Sequence, residues 1–150
     1  MLKKILLVLL VIFVVAQFFG PEKNQGDIQS VEPFLNETKP NAEVTAILKE
    51  TCFDCHSSFT RYPWYDKITP VNYWLAEHVE DGKKHLDFSQ WSTYEAKKKD
   101  HKLEELIEMV EEKEMPLPSY TWTHKEANLS DDQIEAVISW AKNVRSNIKL

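Results

Sequence analysis

The chain has 150 residues, 43% hydrophobic and 28% charged, with a formal net charge of -6 and three glycines. That size allows one compact domain and an extension. Gly20, Gly26 and Gly82 are too scattered for a P-loop or a GxGxxG turn and too few for a hairpin-rich β fold, and the acidic balance argues against a nucleic-acid binder.

Residues 1–20, MLKKILLVLLVIFVVAQFFG, begin with Lys3 and Lys4 and continue as an apolar run from Ile5 to Ala16, extended by Phe18 and Phe19. This pattern reads as an export signal or a membrane anchor. A helix from Ile5 to Gly20 would measure ~24 Å against a hydrocarbon core of ~30 Å, a span made feasible by local thinning. Val14 and Ala16 are small enough to precede a cleavage site, but Phe18 and Phe19 follow at once and favour an uncleaved anchor. The two lysines stay in the cytoplasm by the positive-inside tendency, which puts everything after Gly20 on the periplasmic face of the cytoplasmic membrane. That remainder carries 16 basic and 24 acidic side chains.

Residues 21–40 hold three of the seven prolines and little periodic apolar content. They read as a flexible tether, with a mean reach of ~25 Å. From residue 41 to 150 the pattern is helical. Val44, Ile47 and Leu48 follow a cap at Asn41; Thr69 and Pro70 open a second helix with Val71, Trp74, Leu75 and Val79 on one face and Gly82 beyond its end. Ser92 and Glu95 form a capping box for a third, striped by Leu103, Leu106, Ile107 and Val110. Ser130 and Gln133 box a fourth, carrying Ile134, Val137, Ile138, Ala141 and Val144. The expectation is an all-α domain of four helices with no strand.

Two irregular segments separate these helices, residues 52–69 and 113–130, eighteen residues each. Loops of that length in a compact domain usually serve a site. Both are rich in aromatics and proline, among them Phe53, Phe59, Tyr62, Trp64 and Tyr65 in the first and Tyr120 and Trp122 in the second. A flat apolar cofactor would give them something to pack on.

The first segment opens Thr51-Cys52-Phe53-Asp54-Cys55-His56, a CxxCH sequence. On a helical turn Cys52, Cys55 and His56 project from one face. Two thiols at that spacing suit the two vinyl groups on one edge of a haem, with the His56 imidazole as proximal iron ligand. A thioredoxin-like pair would need a βαβ context, which is absent. A zinc site would need a fourth ligand from His78, His85, His101 or His124, and a plain disulfide would leave the adjoining histidine unexplained.

The second axial position falls to Met115. It stands in Met115-Pro116-Leu117-Pro118, just past the third helix, where two prolines stiffen the backbone that presents the thioether. Met109 lies on the helix beside Val110 and reads as core. His124 is the alternative ligand, and an open site is the third possibility. The five tryptophans read as packing around the cofactor.

The stretches TCFDCHSSFTRYPWY, ITPVNYWLAEHVEDGKKHLDFSQW and EMPLPSYTWTHKEANLSDDQIEAVISWA resemble the bacterial haem-binding domain family with a CxxCH motif, over nearly all of the region after the apolar run. The resemblance implies a small, secreted or anchored domain with one c-type haem per chain, attached at Cys52 and Cys55, ligated by His56, and with Met115-Pro116 as the distal element. The combined expectation is a cytochrome c-like all-α domain that transfers single electrons beside the membrane to a redox partner protein. A haem-based sensor of small ligands and a peroxidase-type enzyme are the other readings of the same residues.

Overall fold

Apolar residues at helical spacing in the last third of the chain pair two long helices. The computed structural model describes residues 1–149 and, within them, contains helices and turns with no strand and one isolated bridge between Gln25 and Phe59. Helix α6 (Ala96–Glu111) buries Leu103, Ile107 and Val110, and α8 (Asp131–Asn147) buries Val137, Ile138 and Ala141 in the same core. The two run antiparallel, as their end-to-end ion pairs show: Arg145 meets Asp100 at 2.8 Å at one end, and Lys113 meets Asp131 at 2.8 Å at the other. The expected Ser130–Gln133 capping box starts α8. The box expected at Ser92 does not form. Phe88 and Trp91 are drawn into the core, which winds Phe88–Thr93 into a 3-10 helix capped by Asp87, and α6 begins after Glu95 without a side-chain cap.

The stretch expected to be a tether belongs to the domain. Asp27 caps a 3-10 turn (Ile28–Val31) that leads into α2 (Glu32–Thr38). Phe34 is wholly buried there, with ring centroids 4.5 Å from Phe88, 5.2 Å from Trp91 and 5.9 Å from Trp140. An element this short shows too few inward residues, chiefly Val31, Phe34 and Thr38, for a period to be legible. Upstream, Asn24 ties the same stretch down: its amide donates to the Ser57 carbonyl and Thr60 hydroxyl, each at 2.9 Å, and its oxygen accepts from Lys83 at 2.9 Å.

The N-terminal helix α1 (Leu2–Ala16) has 15 residues, ending four residues before the expected Gly20, and none of them is buried. At ~1.5 Å per residue it is ~22 Å long. Among the described residues, no helix is long and apolar enough to cross a membrane.

Asn41 caps α3 (Ala42–Ile47) through Val44 N–H, as its sequence implies. A π turn (Leu48–Cys52) joins it to the single helical turn α4 (Phe53–His56), and α4 packs on α5 (Val71–His85). Gly82 lies inside α5, not past its end, because the backbone of α4 occupies the place of a side chain: a Cβ there would sit 2.8 Å from the Cys55 carbonyl oxygen. For Gly82→Ala, a helix-propensity gain of up to ~1 kcal/mol opposes an overpacking cost of about 1 to 3 kcal/mol against backbone that cannot rotate away. The expected net is a loss of stability, read as a lower urea midpoint at unchanged m-value.

Candidate functional site

The CxxCH turn, the start of the 113–130 segment and one face of α5 enclose a cleft of about 250 Å³. Cys55, His56 and Met115 all line it, with His78, Gly82 and Tyr120. A narrower extension of about 50 Å³ continues past Cys55, His78 and Tyr120 to Trp74, Tyr65 and His124. The fold therefore brings together three of the four residues singled out by sequence. Cys52 does not line this cleft: it ends the π turn and packs against the main core. Cys55 and His56 thus share the cleft, while Cys52, near enough to Cys55 for the two thiols to influence each other, lies on the core side.

His56 is held in one orientation. Its Nδ1–H donates to the Leu86 carbonyl at 2.9 Å, just past the end of α5, which leaves Nε2 as the ring nitrogen with a free lone pair. Burial, the largest influence, keeps this imidazole below its ordinary pKa and hence neutral, the form that ligates a metal. Burial likewise pushes Cys52 up to about 12, with Cys55 adding to the effect, and pushes Cys55 up to about 11, aided by Asp54. Both are free, protonated thiols at neutral pH.

A polar network unmarked in the sequence joins the two sides of the cleft. Asp54, between the two cysteines, is buried and accepts from Arg61 N–H and Nε at 3.0 Å and from the Tyr120 hydroxyl at 2.9 Å. Arg61 also grips Glu50 at 2.9 Å and the Lys49 carbonyl at 2.9 Å. The Tyr120 phenol is raised above its ordinary range by burial first and by the Asp54 charge second. Tyr120, on the short helix α7 (Pro118–Thr121), stacks on His124, 4.3 Å between centroids. The network spans the CxxCH turn and the segment that carries Met115. Only the position of Asp54 inside the motif hinted at it. Tyr120→Phe is expected to cost about 1 to 2 kcal/mol, below the ~1.5 to 3 kcal/mol of a full charged hydrogen bond, because Arg61 still holds Asp54. Thermal denaturation reads this loss.

The other candidates separate by their contacts. His124 has both ring nitrogens engaged, Nε2 with Tyr65 at 3.0 Å and Nδ1 with Glu126 at 3.2 Å. His78 gives Nδ1 to the Trp74 carbonyl at 2.7 Å and, with His85, lines the cleft, whereas His101 sits on the exposed side of α6 near Glu104 and Glu105. Among the described residues no three His, Cys, Asp or Glu side chains are gathered as a metal ion alone would need, which removes support from the zinc reading. The tryptophans divide: Trp91 is buried in the core, Trp140 lies at its edge and donates to the Thr38 carbonyl, and Trp64, Trp74 and Trp122 are exposed. They do not form one shell around the cleft.

The donor set fits a haem: a neutral imidazole with Nε2 free, a thioether on the same cleft, a thiol lining it, and an apolar wall from Pro116 and Leu117. No curated protein and no solved structure matches the chain. The model of a family described as a haem-binding domain matches residues 11–143, most of the chain, and the protein belongs to that family.

Proposed function

We propose that the protein is a c-type, cytochrome c-like carrier of single electrons, with one haem held covalently by Cys52 and Cys55 and ligated by His56 and Met115. The observation that carries this reading is the His56 ring, fixed by Leu86 through Nδ1 and free at Nε2, on a cleft that Met115 also lines. A haem held by Cys52, Cys55, His56 and Met115 would supply an iron that accepts and returns one electron.

Cys52 and Cys55 would hold it by adding S–H across a vinyl C=C: sulfur would bond one carbon, hydrogen would go to the other, and no oxidant would be consumed. His56 keeps its tautomer through Leu86, and Met115 favours the reduced state and raises the potential. The Asp54–Tyr120 contact holds the two ligand-bearing segments at a fixed separation, which keeps rearrangement between oxidation states small.

The location goes with the function. Helix α1 is too short to cross a bilayer of ordinary thickness, but it is apolar apart from Lys3 and Lys4 with its side chains exposed, and on this reading it embeds in a locally thinned bilayer with the domain on the outer face. Its ~22 Å length is accommodated by thinning of the bilayer. The acidic body suits a redox partner with a basic docking patch.

The visible spectrum of the purified holoprotein, made with a cytochrome c maturation system, tests the ligation. Low-spin bands with a thioether-to-iron charge-transfer feature are expected. A high-spin ferric spectrum with ready carbon monoxide binding overturns the electron-transfer reading in favour of ligand sensing or peroxidase chemistry.

A further inference from the structure

The junction between α1 and the domain has no slack. Ala16 is the last residue of α1, and Gln17, the next one, is already bonded to the domain. Its side-chain amide brackets the backbone of one residue in the loop before α5, donating to the Thr69 carbonyl at 3.1 Å and accepting from Thr69 N–H at 3.0 Å. The Thr69 hydroxyl donates to the Phe19 carbonyl at 3.0 Å and accepts from Asn72 at 3.0 Å. Farther along, Lys23 pairs with the buried Asp66, and Gly26 N–H donates to the Ser58 carbonyl at 2.8 Å. Residues 17–26 are a strap fastened to the 57–72 loop.

The loop that holds this strap bears large exposed aromatics on both sides of Thr69: Trp64 is 74% exposed before it, and Tyr73 (46%) and Trp74 (45%) follow on the first turn of α5. Lys67 between them is exposed too. Tryptophan and tyrosine are the side chains that settle at a membrane–water interface, with an apolar ring and a polar edge, and lysine meets anionic headgroups there.

We propose that the Gln17–Thr69 clasp docks the domain rigidly on the lipid surface, with Trp64, Tyr73 and Trp74 in the headgroup layer. This rests on the reading of α1 as a bilayer-embedded anchor. The length of α1 supplies the physical reason. A helix of ~22 Å in a hydrocarbon layer of ~30 Å draws its flanking residues toward the interface, and a flank clasped to the domain at its first residue draws the domain with it. A flexible leash would leave these aromatics facing water. The clasp also gives the cleft a constant orientation above the membrane, because Trp74 borders its narrow extension.

The test is hydroxyl-radical footprinting of the full-length holoprotein in nanodiscs of phosphatidylethanolamine and phosphatidylglycerol, with oxidation at each residue read by mass spectrometry. The comparison protein carries a flexible Gly/Ser linker of about ten residues, with a mean reach of ~17 Å, inserted between Ala16 and Gln17; every contact within the domain is kept. The expected result is oxidation of Trp64, Tyr73 and Trp74 several-fold slower in the wild type than in the insertion variant, with Met109, exposed on α6, equal in both. Equal rates at the three aromatics overturn the proposal, and that outcome includes protection by haem or by a protein partner, which the linker would not relieve. Flotation of the wild type with vesicles of the same lipids is read separately: failure to float overturns the anchor reading itself, whereas flotation with equal footprints overturns only the docking.

Discussion

The double substitution Cys52→Ala, Cys55→Ala is expected to strip the denatured chain of haem completely. Thioether bonds survive acid-acetone extraction and denaturing electrophoresis, whereas an axial ligand alone does not hold haem once the fold is lost. The wild type, exported and matured, should therefore show haem staining at the protein band, and the double variant none. Each single substitution should leave one thioether and a band that still stains. The two are not equivalent in the folded chain: Cys55 lines the cleft and its carbonyl lies against Gly82, while Cys52 borders the core. Absence of covalent haem from the wild type would refute the c-type assignment and leave non-covalent binding, which membership of the haem-binding domain family accommodates equally well.

Met115→Ala is expected to have the largest effect on the redox properties. On the proposed ligation, haem should stay attached through Cys52 and Cys55, but the thioether charge-transfer band should vanish. The potential should fall, because the ligand that favours reduced iron is gone. Water, carbon monoxide or cyanide should then reach the vacated position, which would convert the proposed electron carrier into a ligand binder. His124→Ala is the control: with both ring nitrogens already bonded to Tyr65 and Glu126, it should leave the band in place. Met109→Ala should do less still, because that side chain is partly exposed on α6. A spectrum that responds to His124 and not to Met115 would mean bis-histidine ligation and a lower potential.

The helical class and the long helices after residue 41 are legible in local signals along the chain. Asn41, Ser130 and Gln133 announce caps that form, and the stripes Leu103–Ile107–Val110 and Val137–Ile138–Ala141 face one another in the core. These signals are local, since a cap and a 3.6-residue period act within one or two turns. The CxxCH motif is legible for the same reason, since its five residues are consecutive, and two of them, Cys55 and His56, line the cleft. The rest depends on contacts between residues far apart in the chain. Residues 21–40 fold because Phe34 finds Phe88, Trp91 and Trp140, partners far away in sequence, and the strap holds because single side chains such as Gln17 and Asn24 meet distant backbone. Gly82 reads as a helix terminator until the Cys55 carbonyl is seen to occupy the space of its missing side chain. Periodicity can say which face of an element is apolar, but not which distant residue meets it, and the Asp54–Arg61–Tyr120 network and the Leu86 carbonyl behind His56 are contacts of that second kind.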